Sequence, residues 1–162
     1  SRERALRSIA CVATAAQALH EEGIVHRDIR PGNVLLTDAG GKLSDLGLSQ
    51  VLTPGATVTG MGDIGSVEFT DPALLQGETP TPAGDVWSLG ATLHWAVTGA
   101  GLYGELPVHD PLLTLRKVYS TPPSVHADLA PELSELVHAC IGDAAKRPTA
   151  GGLADRLYAL VL

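Results

Sequence analysis

The segment from residue 83 to residue 97 constrains the fold of this 162-residue chain more than any other feature. It is apolar on nearly all sides of a helix, and it stops at Gly99. A helix of this kind has to be surrounded by other elements of a core. The sequence therefore predicts a central buried helix at about residues 83–98, with the rest of the domain built around it.

The apolar stretch from Val86 to Tyr103 could also suggest a membrane span. Polar side chains and glycines interrupt it, namely Ser88, Thr92, His94, Thr98, Gly90, Gly99 and Gly101. These interruptions favour a buried core helix over a membrane-spanning one.

Apolar spacing and capping residues predict four further helices. Residues at steps of three and four indicate a helix over residues 3–22, and a shorter helix is expected around residues 112–118. Pro131 is typical of a helix start and Gly142 of the position just past its end. Thr149 is a candidate N-cap for a final helix.

Two short apolar segments, residues 34–36 and 42–44, flank turn residues 38–41 and predict a β-hairpin. This register places Thr37 opposite Lys42. The predicted fold class is mainly α (α+β), a helical bundle with one small β-hairpin.

Polar residues with possible chemistry cluster around the hairpin. The predicted register brings Asn33 and Asp45 together at its open end, where strand neighbours lie roughly 5 Å apart. Two oxygen ligands there suit a hard cation that keeps several waters, such as Mg²⁺. Asp28 could accept a proton from an attacking hydroxyl, and Arg30 could place a positive charge near a phosphoryl group. This combination indicates phosphoryl transfer.

Five motifs in order resemble those of protein kinases. Residues 26–33 read HRDIRPGN and resemble the catalytic loop H-R-D-L-K-P-x-N, and residues 45–47 read DLG and resemble D-F-G. Three later runs continue the likeness, GSVEF at 65–69, DVWSLG at 85–90 and RPT at 147–149. Essentially the whole chain resembles the large, C-terminal lobe of a bacterial, eukaryotic-like Ser/Thr protein kinase.

The resemblance implies one domain over residues 1–162, with a catalytic loop at 26–33 and an activation segment at 45–73. It implies transfer of the ATP γ-phosphoryl group to serine and threonine hydroxyls of protein substrates, with ATP and Mg²⁺ as cofactors.

The resemblance also implies roles for particular residues. Asp28, Arg30 and Asn33 would be catalytic, and Asn33 and Asp45 would bind the metal. Asn33, Leu35 and Asp45 would contact the nucleotide, with Leu35 as the floor beneath the adenine.

Supporting roles follow in the same way. His26 and Leu46 would belong to the apolar spine beneath the site, and Asp85 would hold the backbone of the catalytic loop. Arg27 would pair with a phosphate on a threonine of the activation segment. The available acceptors are Thr53, Thr57 and Thr59.

Three positions depart from the kinase pattern. Arg30 replaces the usual lysine, which predicts lowered activity because a planar guanidinium is less forgiving in position. Leu46 replaces phenylalanine and keeps an apolar plug. The sequence D-P-A at 71–73 stands where A-P-E is expected, so Arg147 loses its usual carboxylate partner. A buried unpaired guanidinium is costly, and we expect a substitute among Glu68, Asp71 and Asp143.

The N-terminal β lobe is expected to be absent from this fragment, because no Gly-rich loop and no strand lysine precede the first helix. The fragment alone is therefore expected to bind ATP poorly and to be inactive, with the missing lobe in a longer parent chain.

Composition excludes some classes of partner and location. Eleven basic and eighteen acidic residues give a net charge of −7, which disfavours nucleic acid. Cys11 and Cys140 are expected to be free, buried thiols in a reducing compartment. We expect no membrane segment in this fragment and a cytoplasmic kinase domain, although the parent could be membrane-anchored.

Several alternatives remain open at this stage. Asp28, Asn33 and Asp45 could be turn and cap residues without chemistry. The chain could be a pseudokinase or scaffold that binds partners, or a small-molecule phosphotransferase of the aminoglycoside-kinase type. His20 and His94 are expected to be hydrogen-bonded helix residues rather than metal ligands.

Overall fold

The computed structural model of the chain describes residues 1–37, 40–44, 50–51 and 64–162. Its helices are Arg2–Glu21 (α1), Pro72–Leu75 (α2), Pro82–Thr98 (α3), Pro111–Ser120 (α4), Pro131–Ile141 (α5) and Ala150–Leu160 (α6). Its strands are Ile24–Val25 (β1), Val34–Thr37 (β2), Gly40–Leu43 (β3) and Gln50–Val51 (β4). The predicted mainly α fold with a small amount of β structure is confirmed.

Helix α3 is the central element, as the sequence predicts. Thr81 caps its first turn by accepting a hydrogen bond from the Gly84 amide, and Gly99 ends it with a φ of +75°. Every residue from Asp85 to His94 is buried. A Cβ at Gly90 would lie 2.5 Å from Cβ of Cys140 in α5, so only glycine allows the two helices to approach this closely.

Helix α1 joins the hairpin to the helical core. Its buried face, which includes Leu6, Ile9 and Ala13, packs against α3 and α6. The Ser8 hydroxyl donates a hydrogen bond of 3.0 Å to the carbonyl of Gly40 in β3. The hairpin therefore lies on a helix that is itself anchored to the core.

The register of the hairpin differs from the prediction by two residues. Thr37 pairs with Gly40 and Leu35 with Lys42, whereas the prediction placed Thr37 opposite Lys42. Gly40 and Gly41 thus belong to strand β3, and the prediction of a turn over residues 38–41 is wrong at these two positions. In this register Asn33 lies opposite Ser44, whose amide donates a 2.8 Å hydrogen bond to the Asn33 carbonyl.

Three further helices follow the predicted positions. The residues predicted around 112–118 lie in α4, and the α5 helix begins at Pro131 and ends before Gly142. The hydroxyl of Thr149 accepts a hydrogen bond from the Gly152 amide and caps α6, as predicted. These agreements arise because capping and apolar spacing act within a few residues of one another.

The region between the hairpin and α3 contains structure that the sequence did not predict. Strand β4 pairs antiparallel with β1, and residues Ile64–Phe69 form a 3-10 helix followed by the short helix α2. The 3-10 helix packs against α3 and α4.

Neither Cys11 nor Cys140 forms a disulfide bond, as predicted. Cys140 is fully buried, and burial raises the pKa of its thiol to about 12. Cys11 is only half-buried, so the predicted burial is wrong for this thiol, whose sulfur lies 3.3 Å from the Tyr158 hydroxyl. Among the described helices, none is long and apolar enough to cross a membrane.

Candidate functional site

The loop at residues 26–33 is fixed to the central helix by one carboxylate. Asp85, in the first turn of α3, is 2% exposed. Its Oδ2 accepts a hydrogen bond of 2.8 Å from the His26 amide, and its Oδ1 accepts one of 3.0 Å from the Arg27 amide. The expectation that Asp85 holds the backbone of this loop is confirmed.

A second helix contributes to the same attachment. His20, in the last turn of α1, places its Nε2 atom 2.8 Å from Oδ2 of Asp85. The sequence predicted a hydrogen-bonded histidine here without identifying its partner. The partner could not be found from spacing alone, because His20 and Asp85 are 65 residues apart in the chain.

Arg27 has a backbone conformation that residues other than glycine rarely adopt. Its φ is +75°, in the left-handed region, which costs a non-glycine residue about 1 kcal/mol. The hydrogen bond from its amide to Asp85 helps to hold this conformation. The loop is therefore kept in one strained shape by interactions from outside it.

The ring of His26 is fully buried and makes hydrogen bonds on both sides. Its Nδ1 accepts a 3.1 Å bond from the Asp28 amide, which leaves Nε2 to donate a 2.8 Å bond to the Ser44 carbonyl. His26 thereby links the loop to the chain after β3, immediately before Asp45. Its predicted partner in the apolar spine, Leu46, lies outside the described residues.

Asp28, Asn33 and Arg30 form one contiguous group. Asn33 Nδ2 donates to the Asp28 carbonyl at 2.7 Å and to its carboxylate Oδ2 at 3.0 Å. Nε of Arg30 lies 3.3 Å from the other carboxylate oxygen, Oδ1. Asp28 is 8% exposed and Asn33 5%, whereas the Arg30 side chain is 29% exposed. The carboxylate is thus oriented by an amide on one side and a cation on the other.

The orientation of Asn33 also leaves an oxygen available. Because Nδ2 makes both of its hydrogen bonds to Asp28, Oδ1 is directed elsewhere, and within the described ranges no donor reaches it. An amide oxygen is a suitable ligand for Mg²⁺. The other predicted metal ligand, Asp45, lies outside the described residues, as do Thr53, Thr57 and Thr59.

Leu35 presents an apolar surface beside this group. It lies in β2, two residues after Asn33, and 51% of it is exposed. A leucine this exposed within a strand offers a flat apolar contact to a ligand. The predicted role beneath an adenine ring requires such a surface.

Arg147 has the replacement partner that we expected. Its Nη1 lies 2.7 Å from Asp71 Oδ2 and also donates to the Ala83 carbonyl at 2.9 Å, while Nε donates to the Gly142 carbonyl at 2.9 Å. The two side chains are 7% and 9% exposed. Among the three proposed carboxylates, Asp71 is the one that pairs, so the ion pair is retained although its acid has moved two positions along the chain.

His94 is a hydrogen-bonded helix residue, as predicted. Nε2 accepts a 3.0 Å hydrogen bond from the His126 amide, so Nδ1 donates to the Ala100 carbonyl at 2.9 Å. Within the described ranges no three metal-ligating side chains come together.

Comparison with known proteins agrees with the motifs. A family model described as protein kinase domain matches residues 1–159. The chain is 48% identical over 93 residues, 57% of its length, to serine/threonine-protein kinase PknK of Mycobacterium tuberculosis. It is 35% identical to serine/threonine-protein kinase PknB of Mycolicibacterium smegmatis over 81% of the chain. It is also 33% identical to serine/threonine-protein kinase PknA of Mycobacterium tuberculosis over 90% of the chain.

These relatives are much longer than the chain. The matched regions span 8% of PknK, 22% of PknB and 34% of PknA.

Proposed function

The chain belongs to the protein kinase domain family, and from this membership we propose that it is the large, C-terminal lobe of a protein serine/threonine kinase. It would transfer the γ-phosphoryl group of ATP to serine and threonine hydroxyls of protein substrates. The observation that carries the proposal is the buried group of Asp28 and Asn33, on a loop that Asp85 fixes to the central helix.

Asp28 is the residue that receives the substrate hydroxyl. Its carboxylate is oriented by Asn33 and Arg30, so it can accept a hydrogen bond from the hydroxyl and later its proton. Accurate positioning matters here because phosphoryl transfer is catalysed mainly by placement and by electrostatic stabilisation.

Arg30 supplies positive charge beside the transferred group. Its Nε atom is within 3.3 Å of Asp28, yet the geometry makes no hydrogen bond. The guanidinium can therefore turn to a phosphoryl oxygen without losing a hydrogen bond at Nε. Arginine presents a planar fork where lysine presents a point charge, so we expect it to tolerate less displacement of the phosphate.

The buried amide of Asn33 and the exposed Leu35 support the binding of ATP and Mg²⁺. Oδ1 of Asn33 would be one metal ligand, Asp45 would be the other, and Leu35 would contact the adenine. When bound, Mg²⁺-ATP supplies the phosphoryl group and neutralises charge on its oxygens. The rest of the nucleotide grip would come from residues outside these 162, and the kinase domain would act in the cytoplasm.

Intact-mass analysis with Mg²⁺-ATP and a generic serine- and threonine-containing protein tests the proposal. The full product of the gene should add phosphate to itself or to the substrate, and the 162-residue chain alone should not. Asp28→Asn should slow transfer by about 10³-fold, because it removes the proton acceptor while preserving side-chain shape.

The matched control is Asp155→Asn, which removes the same charge from an exposed position in α6. Its rate should equal that of the unmodified protein. If the full gene product transfers no phosphate, the chain is a pseudokinase and partner-binding assays replace activity assays. Activity retained by Asp28→Asn would contradict the role given to Asp28.

A further inference from the structure

Gly32 lies beside the guanidinium of Arg30, in the loop that carries Asp28. It is the middle residue of the short 3-10 helix Pro31–Asn33, and it is exposed. A Cβ added at Gly32 would lie 3.2 Å from Nη1 and 3.7 Å from Cζ of Arg30. Apart from the adjacent residues of the chain, no other described side chain comes within 4 Å of that Cβ. The space beside Gly32 is therefore limited by one group, the Arg30 guanidinium.

The backbone does not require a glycine at this position. Gly32 is not one of the residues with a positive φ, so other amino acids could adopt its conformation without strain. Because it is exposed, a side chain there would not have to fit into the core. The approach of Arg30 is thus the described contact that a side chain at position 32 would disturb.

The disturbance would pass from Gly32 to the catalytic group. A separation of 3.2 Å is shorter than ordinary van der Waals contact, which begins at about 3.5 Å, so Nη1 would have to move. The guanidinium is planar and rigid, and Nε moves with Nη1. Since Nε lies 3.3 Å from Oδ1 of Asp28, any shift changes the position of the charge beside that carboxylate.

A lysine at position 30 would not meet the same limit. Lysine and arginine have side chains of equal length up to lysine Nζ and arginine Cζ, so in the same conformation Nζ takes the place of Cζ. The distance from Cζ to the added Cβ is 3.7 Å, an ordinary contact. The conflict arises only at Nη1, an atom that lysine lacks.

We propose that Gly32 is a positioning residue for Arg30, and that the use of arginine at position 30 depends on the absence of a side chain at position 32. This inference rests on the proposed function, in which Arg30 places its charge beside the transferred phosphoryl group. A displaced charge stabilises the transition state less, because catalysis of this kind depends on accurate placement.

Steady-state kinetics of the full gene product with Mg²⁺-ATP and a serine-containing peptide test the dependence. Gly32→Val should lower kcat by about tenfold and leave the KM for ATP within about twofold, because the Arg30 charge acts chiefly on the transition state. Gly32→Ala, which adds the Cβ alone, should lower kcat by about threefold.

The matched control is the same pair of substitutions in the Arg30→Lys background. There each should change kcat by less than about twofold, because lysine has no Nη1 to displace. A general disturbance of the loop would instead lower kcat equally in both backgrounds.

Crystal structures of these proteins provide a measurement that does not require activity. In Gly32→Val the guanidinium of Arg30 should be displaced from its place beside Asp28. In the double variant with Arg30→Lys, the lysine nitrogen should remain beside Asp28.

The outcomes separate this inference from the proposed function. If the unmodified protein transfers no phosphate, the kinase activity is overturned, while a displaced guanidinium in Gly32→Val would still support the dependence of Arg30 on Gly32. An undisplaced guanidinium would overturn that dependence whether or not the protein is active. Equal losses of kcat in the two backgrounds would overturn it as well.

Discussion

The 26–33 loop and the Ile64–Phe69 helix both lie against α3, yet the carboxylates at these two contacts, Asp85 of α3 and Glu68, have opposite surroundings. Asp85 accepts hydrogen bonds from two backbone amides and contacts His20, all at 2.8–3.0 Å. Glu68 is half-buried and makes no hydrogen bond or ion pair with any described residue, and burial raises the pKa of its carboxyl group. A buried carboxylate whose hydrogen bonds are all made holds the surrounding backbone in one geometry, whereas the half-buried Glu68 holds no described group in this way.

The largest effect should come from removing the satisfied carboxylate. Asp85→Ala leaves two buried amides without an acceptor and removes the partner of His20, so we expect a loss of about 4 kcal/mol in the free energy of unfolding. Urea unfolding monitored by circular dichroism measures it. Asp155→Ala, an exposed carboxylate in α6, should change stability by less than about 0.5 kcal/mol. Equal losses in the two variants would contradict the role given to Asp85.

Asp71 tests whether a displaced acid can replace the usual one. Asp71→Ala removes both the partner of Arg147 and the N-cap of α2, for an expected loss of about 3 kcal/mol. Adding Ala73→Glu recreates A-P-E and offers Arg147 a new carboxylate. We expect the double variant to recover at least half of the loss in urea unfolding.

Ala73→Glu alone is the control, because it introduces the same acid while Asp71 still pairs. If the double variant recovers none of the lost free energy of unfolding, a glutamate at position 73 cannot replace Asp71 as the partner of Arg147. The packing around Arg147 would then be specific for an acid at position 71.

His94 should give a smaller, pH-dependent effect on the same helix. Burial lowers the pKa of His94 below its ordinary value of 6.5, with the nearby His126 acting in the same direction. Below pH 6.5 the unfolded chain then binds more protons at this position than the folded one, so folding stability falls as the pH falls.

Urea unfolding at about pH 7.5 and about pH 5.5 measures this dependence. The loss of stability between the two should be smaller in His94→Gln than in the unmodified chain, because the variant cannot take up a proton. An identical loss in both proteins would show that other groups set the acid sensitivity.

The smallest expected effect comes from the unsatisfied hydroxyl. Tyr103→Phe removes a buried polar atom that has no described partner, and it should raise the free energy of unfolding by about 1 kcal/mol. Thermal unfolding of the two proteins measures the change. A loss of more than about 1 kcal/mol would mean that the hydroxyl is satisfied in the folded protein, which would weaken the contrast with Asp85.

Features set by neighbouring residues were predicted well from the sequence. The caps at Thr149 and Gly99 and the burial along α3 follow from side-chain chemistry within one or two helical turns. The hairpin was found in the right place but with its register shifted by two residues. Both registers keep the same alternation of faces, so the apolar pattern could not separate them.

The identity of the candidate catalytic group was also readable from the sequence, because HRDIRPGN keeps Asp28 and Asn33 five residues apart in one loop. The geometry of this group could not be predicted from the sequence, because the orientation of the Asp28 carboxylate depends on the rotamers of Arg30 and Asn33.

By itself, the sequence determined the helical core, the order of the motifs and the residues available for phosphoryl transfer, all of which depend on local patterns. Only the tertiary structure decided which carboxylate pairs with Arg147 and which histidine contacts Asp85. Those outcomes depend on distances between residues that lie far apart in the chain, such as the 76 positions that separate Asp71 from Arg147. Chain folding sets such distances, and no pattern of neighbouring residues records them.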